Sequence, residues 1–188
     1  MKSAESILLP LQVAQLEHDR LAHSDILTLD TQTRLKHMAL HFLKYAGKIA
    51  DAKEREDQAA LAAVMIDTII ICLATANTLN VSLGAPLTCR ANDLQDLCDR
   101  LVPDVSSNVF DSALTALVKI AGRMAKAIES TDHLEKGNPR EILDAEIVTL
   151  TAAMLGIVGR LHVPLSDAIQ GRWRGVESKS IFRRTTAE

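Results

Sequence analysis

A chain of 188 residues dominated by leucine and alanine, with only 3% aromatic residues, can bury a sizeable core and favours helix over sheet. A net charge of −3 and a pI near 6.1 remove any bulk electrostatic case for nucleic acid as a partner. Three cysteines (Cys72, Cys89 and Cys98) make an odd number without framework spacing, so a reducing, cytoplasmic setting is expected.

From the N-terminus, one lysine precedes a short apolar patch broken by Pro10, with no small-residue cleavage site, so no signal peptide is expected. Residues 1–22 read as an irregular start followed by a helix with Pro10 in its first turn. The segment His18-Asp19-Arg20-Leu21-Ala22-His23-Ser24-Asp25 is rich in metal-ligand types. Its His18-Asp19 dipeptide is similar to a metal-phosphohydrolase signature, but the companion ligands are not recognisable, and a solvated helix end accounts for the same residues.

Asp30 or Thr31 caps a helix expected over about 32–53, whose buried face is Leu35, Met38, Phe42, Ala46 and Ile49. His37 and His41 stand one turn apart on it, a spacing that suits zinc or, more commonly, a helix–helix seam. The run Ala59–Ala76 approaches membrane-span length, but Asp67 in its middle argues for a buried bundle helix over about 57–80, with no membrane partner. Cys72 lies in this run and reads as a core residue.

A connector with Gly84 and Pro86 leads to a short helix over about 92–102 with Asn92 as cap. Ser106, Ser107 and Asn108 offer caps for a helix over about 109–130, and a polar loop over 130–137 follows. Asn138-Pro139-Arg140-Glu141 signals the start of another, running to about His162. A last helix over about 165–177 leads into a basic end with Lys179, Arg183 and Arg184. Around Trp173 the basic residues Arg172 and Arg174 could serve an interaction surface or a solvated tail.

The chain also echoes itself. Lys44-Tyr45-Ala46-Gly47-Lys48-Ile49-Ala50-Asp51-Ala52 returns 75 residues later as Lys119-Ile120-Ala121-Gly122-Arg123-Met124-Ala125-Lys126-Ala127. Leu79-Asn80-Val81-Ser82-Leu83 returns as Leu161-His162-Val163-Pro164-Leu165. A duplicated helical hairpin follows, divided as an N-terminal extension over 1–30, repeats over 31–103 and 104–178, and a tail over 179–188.

Each repeat has a long helix resembling G-x-L-A-x-A, a turn, an apolar helix, and a segment resembling L-G-I-D-L before a shorter helix. In this order the chain resembles the MazG-like all-α NTP pyrophosphatases. Single-copy members of that family pair their helices into dimers. The resemblance therefore implies a four-helix core made within one chain, with a homodimer still possible, and nucleotides as ligands. The family's chemistry rests on E-E-x-x-E on one helix and E-x-x-D on the next, which together hold Mg²⁺ against the triphosphate.

At the first-motif positions this chain carries Lys44, Tyr45 and Lys48, then Lys119, Ile120 and Arg123. At E-x-x-D it carries Val64 with Asp67, and Glu146 with Thr149. Positive charge thus stands where a dication belongs. Lys44, Lys48, Lys119 and Arg123 either bind phosphate directly or pair with Asp51, Asp67 and Glu146 as structural ion pairs. The resemblance therefore implies a non-catalytic scaffold or nucleotide-binding protein. The alternative is an active Mg²⁺-dependent pyrophosphohydrolase using the displaced acids Asp51, Glu54, Asp67 and Glu146.

Overall fold

The computed structural model describes residues 1–102, 108–133 and 136–179. Eight helices carry the fold: α1 (Ala4–Ala22), α2 (Ser24–Leu27), α3 (Thr31–Glu54), α4 (Gln58–Leu79), α5 (Leu94–Arg100), α6 (Val109–Asp132), α7 (Pro139–Arg160) and α8 (Leu165–Glu177). Two strands of two residues, β1 (Lys2–Ser3) and β2 (Arg90–Ala91), pair antiparallel with Lys2 opposite Ala91.

The four long helices close a ring. α3 packs on α4 and α6, and α7 packs on α4 and α6, which makes an all-α four-helix bundle. Helices α3 and α6 are amphipathic, each burying one stripe: Leu35, Met38, Phe42, Ala46 and Ile49 on α3, and Leu117, Ile120, Met124 and Ile128 on α6. Helices α4 and α7 are apolar on nearly every side, so one bundle face cannot cover them. The shorter helices complete the cover: α1 lies along α4, α5 lies along α7, and α8 touches α1, α4 and α5. By length and composition α4 and α7 could each cross a membrane, but here they pack against each other at the centre of the bundle. Their buried hydroxyls are satisfied within the helix, Thr68 on Val64, Thr75 on Ile71 and Thr151 on Ile147. Cys72 is fully buried beside them, and burial pushes its thiol up to about 12.

The helix starts follow side-chain caps. Asp30 accepts from Thr33 N–H, Asp57 from Ala60, Asn108 from Phe110 and Asn138 from Glu141. Two expectations need correction. Asn92 is not the cap of α5; Asp93 is, accepting from Asp96 N–H, while Asp96 reaches back to the Asn92 N–H. Pro10 is not in the first turn of α1, because Ser3 caps that helix and starts it at Ala4. Pro10 is tolerated further in because that face is exposed, where water can take the freed carbonyl. The cap candidates Ser106 and Ser107 lie outside the described residues.

The echoed segments share a backbone device. Asn80 and His162 both take a left-handed conformation (φ 52° and 51°). Immediately after them, Val81 N–H bonds to Ala76 C=O and Val163 N–H to Val158 C=O, the same five-residue closure of a helix end.

Helix α1 is tied to the end of α4 by Gln12. Its amide donates to Val81 C=O and accepts from Leu83 N–H, and Asn77 returns a bond to Gln12 C=O. Gly84 is needed where the connector crosses α1, since a Cβ there would lie 2.4 Å from Glu5 Cα. Gly159 plays the same part where α7 meets α5, with Cys98 O 2.6 Å from the position of a Cβ.

These two environments predict opposite outcomes for one substitution. Gly159→Ala forces α5 off α7 and should cost ~1–3 kcal/mol. Gly47→Ala, with nothing within 4 Å of the new methyl on an exposed helix face, should stabilise by ~0.5–1 kcal/mol. Urea midpoints of the two variants check both signs.

Candidate functional site

Two places gather the chemistry. The first is the level of the bundle where the resemblance places metal-binding acids. Asp67 sits in the apolar α4 with its side chain 14% exposed, and Glu146 in α7 at 16%. A carboxylate so enclosed needs a partner. Glu146 has Arg123 from the facing helix α6, at 2.5 and 2.8 Å. Asp67 is held by Arg172 from α8, at 2.6 and 3.0 Å, and not by Lys44 or Lys48. Both pairs are bidentate, two parallel N–H···O bonds that use both carboxylate oxygens. Pairing with Asp67 and Glu146 holds Arg172 and Arg123 fully charged, above the ordinary guanidinium value.

Lys44 and Lys48 flank Asp67, and among the described residues neither forms an ion pair with a carboxylate. Lys44 Nζ stands 4.8 Å and Lys48 Nζ 5.9 Å from the centre of the buried Tyr45 ring. Burial and the neighbouring Lys48 lower the Lys44 pKa. Burial and the charge of Asp67 raise that of Tyr45, so its hydroxyl stays protonated. Lys48, Asp67 and Arg172 line a surface groove of about 460 Å³ with Gly171 and Ala168. Lys119 is exposed on α6 and takes no part in this groove. Asp51 and Glu54 are exposed on the last turns of α3. The displaced acid set is not gathered: Asp51, Glu54, Asp67 and Glu146 form no shared ligand cluster among the described residues. The reason is geometric, since Asp67 and Glu146 face different arginines on different helices.

The second place is a partly open cavity of about 100 Å³ lined by residues of α1, α2, α3 and α4. Its polar wall is Gln15, Asp19, His23, Arg34, His37 and His41, and its apolar wall includes Ile26, Met38, Ile70 and Ala74. The two ligand-rich segments of the sequence, one at the end of α1 and the other on α3, meet here. His37 and His41 face each other Nε2 to Nε2 at 3.1 Å, and Lys44 Nζ lies 2.9 Å from His41 Nδ1. Burial first, then the charges of Lys44 and His37, bring the His41 pKa down to about 4.

On the α1 side, Gln15 Nε2 donates to Asp19 Oδ1 at 2.7 Å, and Trp173 Nε1 from α8 donates to Gln15 Oε1 at 2.8 Å. His18 Nδ1 bonds Glu177 at 3.0 Å, and its ring stacks on Trp173. Burial raises the Asp19 pKa against the opposing Gln15 bond and the nearby His23 and His18. Arg34 donates through Nη2 to Thr78, while its buried Nε has no partner among the described residues. The two histidine pairs are visible in the sequence, but the parts of Gln15 and Trp173 exist only once α8 packs beside α1, and that of Arg34 only once α3 packs on α4.

No family model, curated protein or solved structure matches the chain.

His41 makes stability pH-dependent in a defined window. The unfolded chain takes up its proton near pH 6.5 and the folded one only near 4, so unfolding is favoured as pH falls between them. Because the ring is partly open to water, the loss should be on the order of 1 kcal/mol. Asp19, with its raised pKa, works in the opposite direction at the acid end. Chemical denaturation at pH 7 and pH 5 should show this drop, and His41→Gln should flatten it.

Proposed function

We propose that this chain is a MazG-like helical protein without pyrophosphohydrolase chemistry, binding a phosphate-bearing ligand such as a nucleotide in the basic groove where α3, α4 and α8 meet. The observation that carries this reading is the bidentate capture of Asp67 by Arg172, matched by that of Glu146 by Arg123. A Mg²⁺ ion needs free, clustered carboxylate oxygens. Here the guanidinium donors occupy those oxygens, and a dication would have to displace a charge-assisted pair that is half enclosed.

The same residues suit an anion. Lys48 and Arg172 line the groove around the single charge of Asp67, and Lys44, outside the lining beside Tyr45 and His41, adds its charge from electrostatic range, so the groove carries net positive charge within reach of solvent. A phosphate group would accept from the lysine ammonium groups and from the outer edge of Arg172, with no metal between. Exposed cations hold phosphate mainly through charge, so affinity should fall steeply with salt.

Calorimetric titration with ATP, other nucleoside triphosphates and inorganic phosphate tests this at two ionic strengths. Saturable binding that weakens at high salt, and at least roughly tenfold in the Lys44→Ala/Lys48→Ala double variant, is expected. No pyrophosphate should be released with Mg²⁺ or Mn²⁺. Release that disappears in Asp67→Asn would replace this reading with that of an active metal-dependent hydrolase.

A further inference from the structure

We propose that His18, Asp19 and His23 form a binding site for one divalent transition-metal ion of the zinc type, its open coordination position facing the cavity lined by Arg34 and His37. One ligand atom from each of the three lies within 4.8 Å of the others, and both His18 and Asp19 are buried. A tetrahedral zinc centre holds its ligand atoms about 3.3 Å apart, so the three side chains draw together on binding, His23 being the one of them that is not fully buried.

Three features separate this cluster from a chance meeting of polar side chains. The first is the donor set: two imidazoles and a carboxylate, a combination suited to zinc and its neighbours and poor for Mg²⁺. The second is the outer layer. Glu177 accepts from His18 Nδ1, which leaves Nε2 with its lone pair for a metal. Gln15 fixes one oxygen of Asp19 and is itself fixed by Trp173. Each buried ligand is therefore oriented by a group reaching from α8 or one turn back along α1. The third is the buried Nε of Arg34, a donor without an acceptor among the described residues. An anion bound at the open position, such as hydroxide or a phosphate or carboxylate oxygen, would supply that acceptor and offset the positive charge of Arg34 beside the ion. Three protein ligands and one open position are the arrangement of metal centres that exchange ligands.

The site is independent of the basic groove, so failure of one reading leaves the other intact. The experiment is a titration of the full-length chain, stripped with chelator and dialysed, with Zn²⁺ by calorimetry and with Co²⁺ by visible absorption. One ion per chain is expected, with Co²⁺ giving the intense d–d bands of a low-coordinate site. His23→Gln should weaken binding by at least about tenfold, and Gln15→Met, which touches no metal, by roughly 10–100-fold. Circular dichroism of the metal-free variants keeps the result readable, because among the described residues the His23 side chain makes a ring contact with His18 and no hydrogen bond, and its replacement should leave the fold intact. Absence of saturable binding by both ions overturns the proposal. So does binding that survives His23→Gln but is abolished by His37→Ala, which would move the ion to the His37–His41 pair.

Discussion

The structure depends on one constraint: two helices, α4 and α7, are apolar on almost every face and must be covered on more than one side. An ordinary hairpin partner covers one side only. A second hairpin answers part of the demand, because α4 and α7 pack on each other while α3 and α6 close the ring. The remaining faces recruit the short helices, α5 onto α7 and α1 with α8 beside α4. The close approaches at Gly84 and Gly159 are where that cover is tightest.

Covering α4 from a second side has chemical consequences. It brings α8 close enough for Arg172 to reach Asp67, a carboxylate that an apolar helix cannot leave unpaired. It also lays α1 against the cavity wall, so that Asp19 and His23 meet the His37–His41 pair of α3. Trp173 ties the two places together, since the helix that carries Arg172 to Asp67 also orients Gln15 and stacks on His18. Packing thus sets which side chains meet, and charge then decides how each is satisfied.

Much of the fold was legible because it is written locally. The helical periodicity of Leu35, Met38, Phe42 and Ile49, the proline start at Asn138-Pro139, and the repeat of Leu79-Asn80-Val81 in Leu161-His162-Val163 each have a local physical cause. Cap choice between adjacent residues was less so: Asn92 and Asp93 are both good caps, and only the reach of Asp96 decides between them. The partner of Glu146 was among those expected from the facing helix, whereas that of Asp67 was not. Arg123 lies on the other helix of the same hairpin, but Arg172 is 105 residues from Asp67 on a helix whose docking no periodicity reveals. The cavity shows the same divide, its histidine spacings visible along the chain and their convergence visible only in three dimensions.

Whether arginine closes the acid position at Asp67 is measured by a double-mutant cycle on Arg172→Met and Asp67→Asn, read as unfolding free energy with and without Mg²⁺. A coupling of ~1–3 kcal/mol, with stability unchanged by Mg²⁺, is the predicted result. Zero coupling together with a rise in stability on adding Mg²⁺ that requires Asp67 would contradict the account.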